Sequence, residues 1–298
     1  MIQPVASKRS QMTAFWLSVI TLALALLAAG LTILPGPLYR AHWLSLGGAF
    51  QSIRDGAYVG ILTLVFGIIS AIASVYAHRT KLLLGNVVLA LAGVFCFGVP
   101  FFWLLKAESV PPIHDITTDP LHPPAFTALM PRLKHVPNSP VYGGGNAQAR
   151  RVERESVMAF ATRGHGRINP HAAQVVQSCA HWDARCLFTV QEVYYPMVRP
   201  LIVNGETRSD AYDKALALVR KRGWRVAFAS PGTGRIEAVA RTAWFGFKDD
   251  VAIRIEKVPG GVRIDMRSES RIGLSDIGHN ASRVEHFMRQ LKARLRSS

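Results

Sequence analysis

His114 stands beside Asp115, with Asp119 four residues further on, in a chain of 298 residues. An imidazole next to carboxylates is the residue set of a general base or of part of a metal site. The same run, bounded by Pro112 and Pro120, equally suits a loop fixed by side-chain bonds from Asp115, Thr117, Thr118 and Asp119 to the backbone. If the chain catalyses, His114 is the first residue to consider, with Asp115, Asp249, Asp250, Ser268 and Ser270 as partners. A Gly-x-Ser-x-Gly elbow and a His-Glu-x-x-His helix are both absent from the sequence, so a serine-hydrolase reading rests on residue types alone. Cys179 and Cys186 with His181 between them do not reproduce a standard zinc spacing. No metal and no other cofactor is expected.

A second chemistry is anion binding. In the run 251 to 271, Val251, Ile253, Ile255, Val262, Ile264 and Met266 alternate with Arg254, Glu256, Arg263, Asp265, Arg267, Glu269 and Arg271. Two paired strands with this period have one apolar face and one charged face. Cross-strand pairing that keeps a solvated face soluble explains the charges. An anion site made by Arg254, Arg267 and Arg271, with Ser268 and Ser270 nearby, explains them too. Asp276 and Asn280 precede the last helix and either can cap it; its free amides, beside Arg271, suit a phosphate or carboxylate. Asn280-Ala281-Ser282 also spells a glycosylation acceptor, which at a helix start reads as accidental.

These residues need elements to position them, and the charge distribution divides the chain. Residues 1 to 105 carry six bases and one acid, leaving 29 bases and 18 acids for residues 106 to 298. Three uncharged apolar runs, 13–34, 57–77 and 82–105, are each long enough to cross a hydrocarbon core of about 30 Å. Trp16, Tyr39, Trp43, Tyr58, Tyr76 and Trp103 sit near their ends, as interfacial rings do. The first run is too long for a cleaved signal. Lys8 and Arg9 in the tail, with Arg79 and Lys81 in the short second connection, predict a cytoplasmic amino terminus and put everything after Leu105 in the periplasm. No acid and no lysine lies inside a run, which speaks against an ion pathway. Gly30, Gly60, Gly67, Gly85, Gly93 and Gly98 are expected to let the helices pack closely.

Residues 106–145 are Pro-rich and patternless, an extended segment laid along the following domain. In 146–298 the patterns predict helices over 150–161, from Asn169-Pro170 to about Ser178, over 210–221 with Ser209 or Asp210 as cap, and over 280–295. Between the last two, four strands are expected at 224–229, 235–245, 251–256 and 262–270. They are joined by Pro-Gly-Thr-Gly, a turn at 248–250 and Pro-Gly-Gly, which makes them antiparallel neighbours. The expected fold class is α+β, a bundle of three membrane helices followed by a four-stranded antiparallel sheet packed with helices. Cys179 and Cys186, on the side expected to be oxidising, predict a local disulfide; Cys96 lies within the third run.

The strings PPIHDITTDPLHPPAF (111 to 126), YYPMVRPL (194 to 201), RIEAVARTAWFGFKDDVAIRI (235 to 255) and VRIDMRSESRIGLSDIGHNASRV (262 to 284) resemble the bacterial family called domain of unknown function 1499. The likeness covers most of residues 111 to 295 with its blocks in order. It implies an envelope-associated protein, sometimes with amino-terminal membrane spans, and no reaction. Met197 stands where the tyrosine-proline block usually brings an acid, and about 151–189 has the character of an insertion. A nucleic-acid partner is not expected, because no binding motif accompanies the positive charge. Anionic lipid head groups or envelope polymers fit that charge and the expected compartment. Three readings follow: a non-enzymatic module binding an anionic envelope component, an envelope hydrolase or metal-assisted enzyme using His114, and a structural subunit of a membrane complex.

Overall fold

The computed structural model describes residues 7–133, 135–162, 174, 177–179 and 182–296. It forms two compact units, one of residues 1–105 with 243–246, the other of 106–242 with 247–298. The expected helix start at Asn169-Pro170 lies outside the described residues.

In the first unit, α1 (Lys8–Ile33), α2 (Pro35–Arg40), α3 (Leu46–Tyr76) and α4 (Thr80–Glu108) follow one another. α1, α3 and α4 are long and apolar enough to cross a membrane. Two of them begin well before their apolar runs, because Ser7 and Ser45 cap them by accepting from the amides of Ser10 and Gly48. The connection at 35–56 is thus largely helical, with Pro35 opening α2. Of the six glycines expected at helix contacts, Gly60, Gly67 and Gly93 are there: a Cβ on Gly60 would lie 3.0 Å from the Gly93 carbonyl, and one on Gly67 2.8 Å from the Ala90 side chain. Gly85 and Gly98 face open space. Polar side chains tie the helices as well. Thr21 and Ser70 hydroxyls meet at 2.8 Å, and the buried Asn86 amide donates to Ser18 at 2.9 Å and Ser74 at 3.1 Å.

The second unit is α+β, and its antiparallel sheet has six strands rather than four. They are β1 (Asp115–Thr117), β2 (Leu201–Asn204), β3 (Arg225–Ser230), β4 (Arg235–Arg241), β5 (Lys248–Val258) and β6 (Gly261–Ser270). The order is β1-β6-β5-β4-β3, and β2 pairs with the same edge of β6 as β1, further along it. The two additional strands are three and four residues long, each close behind a proline, and too short for alternation to reveal. β5 starts at Lys248, where a turn was expected. Asp249 and Asp250 are in the ladder opposite Ser270 and Glu269, their carboxylates satisfied by side chains rather than by a turn.

Helices α5 (Met130–Leu133), α6 (Ala147–Thr162), α7 (Ala184–Tyr194), α8 (Arg208–Lys221) and α9 (His279–Arg296) complete the unit. Thr207, rather than Ser209 or Asp210, caps α8: its hydroxyl accepts from the Asp210 amide and donates to the Asp210 carboxylate. Tyr212, Ala215, Leu218 and Val219 of α8 and Val284, Phe287 and Leu291 of α9 form one core with Ile236, Val251, Ile253, Ile255, Ile264 and Met266. Gly143, with φ +62°, lies so near the start of α7 that a Cβ would come within 2.4 Å of the Ala184 nitrogen.

The other face of the sheet, expected to be solvated, is covered. Residues 118–133 and 135–138 cross it as a strap, and Phe126, Leu129 and Leu133 make a second, smaller core with Val239 and Ala252. Glu237, fully buried on β4, holds the strap down. It accepts from the Thr127 amide at 2.8 Å, the Thr127 hydroxyl at 2.7 Å, the Ala128 amide at 3.2 Å and the Leu129 amide at 2.9 Å. Glu237→Ala should strand these buried donors and cost about 3 kcal/mol or more. Hydrogen exchange on the full-length protein checks this, with protection expected to fall at residues 127–129 and to persist in β5 and β6.

Candidate functional site

The polar residues singled out above gather around β6, whose alternate side chains point to opposite faces of the sheet. On the strap side, Arg267 is the centre. Its side chain is 3% exposed, and it donates from Nε and Nη2 to the two oxygens of Asp115, at 2.9 and 2.7 Å, and from Nη2 to Glu269 at 2.9 Å. Asp115 reaches it because β1 pairs with β6, setting Asp115 opposite Glu269 and Thr117 opposite Arg267. The rings of Phe126 and Tyr142 lie against the guanidinium at 4.8 and 5.7 Å. Burial opposes the charge on Arg267, but Asp115 and Glu269 outweigh it and raise the pKa above its ordinary value. Burial, with Asp115 close by, pushes Glu269 well above the usual carboxylate range. Burial and the same aspartate push the Tyr142 phenol up.

Further along the same face, Arg254 donates to Asp119 at 2.8 Å, to Asp265 at 3.1 Å and to the His122 carbonyl at 2.9 Å. Arg263 shares both carboxylates. Arg271 grips Asp250 with two bonds of 2.7 Å. Arg254, Arg267 and Arg271 therefore do not form an open anion surface. Each is neutralised by carboxylates of its own chain, two of which, Asp115 and Asp119, enter from the segment the sequence marks as Pro-rich.

On the opposite side of β6 the residues expected near the last helix form a second buried network. Ser268 Oγ donates to Asn280 Oδ1 at 2.7 Å and accepts from Arg283 at 2.8 Å; Ser270 Oγ donates to Asp249 at 2.7 Å and accepts from Asn280 at 3.0 Å. Asn280 also donates to the His114 carbonyl at 2.8 Å, and Arg283 pairs with Asp249. Asp276, not Asn280, caps α9, accepting from the amides of Gly278 and Asn280. Asn280 is fully buried, which closes the glycosylation reading. Burial raises the Asp276 pKa to about 6 despite those two amides.

The His114 imidazole lies beside a carboxylate. Its Nδ1 lies 3.6 Å from Glu153 of α6, whose other oxygen accepts from Trp182 Nε1 at 2.8 Å. Burial raises the Glu153 carboxyl, with His114 opposing. Neither serine hydroxyl is hydrogen-bonded to a histidine, and both already donate to another acceptor. Among the described residues no group of three or more His, Cys, Asp and Glu is placed to hold a metal; His181 lies outside them. Cys179 and Cys186 are joined by a disulfide, with Cα atoms 5.9 Å apart, and Cys96 is a buried free thiol.

Glu237, Glu153, Gln191 and Arg283 carry as much of this arrangement as the residues the sequence singled out. Gln191 mimics a strand: its amide accepts from the Thr117 amide at 2.9 Å and donates to the Thr117 carbonyl at 2.7 Å, closing the free side of β1. Only Glu237 left a legible trace, as a charge between Ile236 and Ala238 in a strand pattern.

Residues 115–291 match the model of a family described as protein of unknown function, DUF1499. No curated protein matches the chain.

Removing Arg267 would leave Asp115 and Glu269 buried without a counter-charge. Arg267→Ala should cost about 3–5 kcal/mol in denaturant unfolding, with part of the loss recovered when Glu269→Gln is added. The cap gives a pH prediction. Because the folded pKa of Asp276 is raised, its contribution is present below the unfolded value near 4 and is lost as pH rises through about 6. Stability of Asp276→Asn relative to wild type should accordingly increase from pH 4 to pH 7, read as the change in denaturation midpoint.

Proposed function

From the premise that the chain belongs to the DUF1499 family, we propose that it is a membrane-anchored, non-enzymatic envelope module whose exposed cationic helix face binds an anionic envelope component, a lipid head group or a polymer. α1, α3 and α4 supply the anchor, crossing a bacterial inner membrane with the amino terminus in the cytoplasm and residues 106–298 in the periplasm. The Cys179–Cys186 disulfide suits that oxidising compartment.

The carrying observation is where the charge remains free. Arg235, Arg254, Arg263, Arg267 and Arg271 are consumed by internal pairs, whereas Arg220 and Lys221 of α8 and Arg289, Lys292 and Arg296 of α9 are exposed. None of these five has a carboxylate partner among the described residues. Arg222, at the end of α8, donates to Gln290 of α9 and so brings the α8 bases against the middle of α9. A cationic face of this kind attracts polyanions and anionic head groups. Of the hydrolytic reading, the His114–Glu153 contact at 3.6 Å remains.

The test compares full-length wild type with Arg220→Glu/Lys221→Glu/Arg289→Glu/Lys292→Glu, binding to lipopolysaccharide and to phosphatidylglycerol vesicles at low and high salt. The expected result is salt-sensitive binding by wild type, weakened at least about tenfold in the variant, with the disulfide and circular dichroism retained. Equal binding by both proteins would remove this surface and favour a structural subunit.

A further inference from the structure

The first unit has its own polar feature, distant in sequence from the face just described. A cavity of about 680 Å³ opens between the beginning of α1 and the turn joining α3 to α4. Gln11, Met12 and Phe15 line one side; His78, Arg79, Thr80, Lys81 and Leu82 line the other. None of the lining residues is acidic, and the unit's single acid, Asp55, lies in the first third of α3, away from the end beside the cavity. Among the described residues neither Arg79 nor Lys81 has an ion-pair partner. Arg79 donates instead to the neutral Gln11 side chain at 2.7 Å, which spans the cavity from the α3–α4 turn to α1.

The two kinds of lining are arranged in order along the helices. The bases and His78 sit at the helix ends, and Met12, Phe15 and Leu82 continue the wall toward the apolar lengths of α1 and α4. Met12 and Phe15 are 60% and 51% exposed, so this part of the apolar wall is left open by the described residues. An occupant must therefore be anionic at one end and hydrocarbon at the other, with its charged end level with the ends of the helices. In a bilayer that is where phosphate groups lie, and Lys8 and Arg9, in the first turn of α1, add positive charge at the same level.

We propose that this cavity is a binding site for an anionic glycerophospholipid of the cytoplasmic leaflet. Arg79 and Lys81 hold its phosphate, Gln11 keeps Arg79 oriented toward it, and an acyl chain lies along Met12, Phe15 and Leu82. The site rests on the reading that α1, α3 and α4 cross the membrane, and it is independent of the α8–α9 face.

The test uses the full-length protein in phosphatidylcholine vesicles containing a minor fraction of either spin-labelled phosphatidylglycerol or spin-labelled phosphatidylcholine, with motionally restricted lipid read by electron paramagnetic resonance. Flotation and resistance to alkaline carbonate are recorded on the same samples. Wild type is expected to prefer phosphatidylglycerol, and Arg79→Gln and Lys81→Gln each to reduce that preference about fivefold. Arg40→Gln and Arg54→Gln, outside the cavity, are expected to leave it unchanged. Protein that floats and resists carbonate but shows no preference, or a preference untouched by the Arg79 and Lys81 substitutions, overturns the site while leaving the membrane reading intact. Failure to float overturns both. Competition by glycerol phosphate as effective as that by intact lipid overturns the lipid as occupant.

Discussion

A guanidinium buried in the middle of a sheet face needs a counter-charge at bonding distance, because the cost of taking it out of water is otherwise several kcal/mol. Arg267 sets this condition for the second unit. Asp115 meets it from β1, Glu269 meets it from two residues along β6, and Phe126 and Tyr142 exclude water from the pair. Much of what surrounds β6 follows from the same need. β1 is only three residues long, yet its position is fixed by the Asp115 carboxylate on one side and by Gln191, which bonds the Thr117 backbone, on the other.

The strap is the larger consequence. A sheet face carrying Arg235, Glu237, Arg254, Arg263, Asp265, Arg267 and Glu269 would be soluble if left in water, and it is not left there. The strap brings Asp119 to Arg254 and Arg263, carbonyls of Ala125 and His122 to Arg235 and Arg254, and three backbone amides to Glu237. Charges that look like a recognition surface are thereby spent within the chain. Exposed positive charge is left on α8 and α9, where Arg220, Lys221, Arg289, Lys292 and Arg296 have no carboxylate partner among the described residues.

The parts of this arrangement written with a long period were legible in the sequence. Three apolar runs, the stripes of α8 and α9 and the alternation of β5 and β6 all survive as elements, with ends moved by caps such as Ser7, Ser45 and Thr207. The family could be recognised from blocks that include the residues of both networks. What alternation cannot say is whether a charged face is wet. Residues 251 to 271 read as a solvated lattice or as an anion site, whereas the structure makes them a covered ion-pair layer, and the difference lies in residues 118–138, whose prolines hide any period. Short strands such as β1 and β2 were illegible because three or four residues are too few to show alternation. Glu153 and Gln191 were illegible for another, since a polar residue on a helix gives no sign that its partner lies tens of residues away.

The measurement closest to the central claim is nuclear magnetic resonance of the arginine Nε–H groups in the full-length protein, with and without phosphatidylglycerol vesicles. If the sheet arginines are sealed by internal pairs, Arg267 Nε–H exchanges slowly with solvent and neither it nor Arg254 and Arg271 shifts when lipid is added, while Arg220 and Arg289 do. Rapid exchange at Arg267, or lipid-induced shifts at Arg254, Arg267 and Arg271 with none on α8 and α9, would contradict the account.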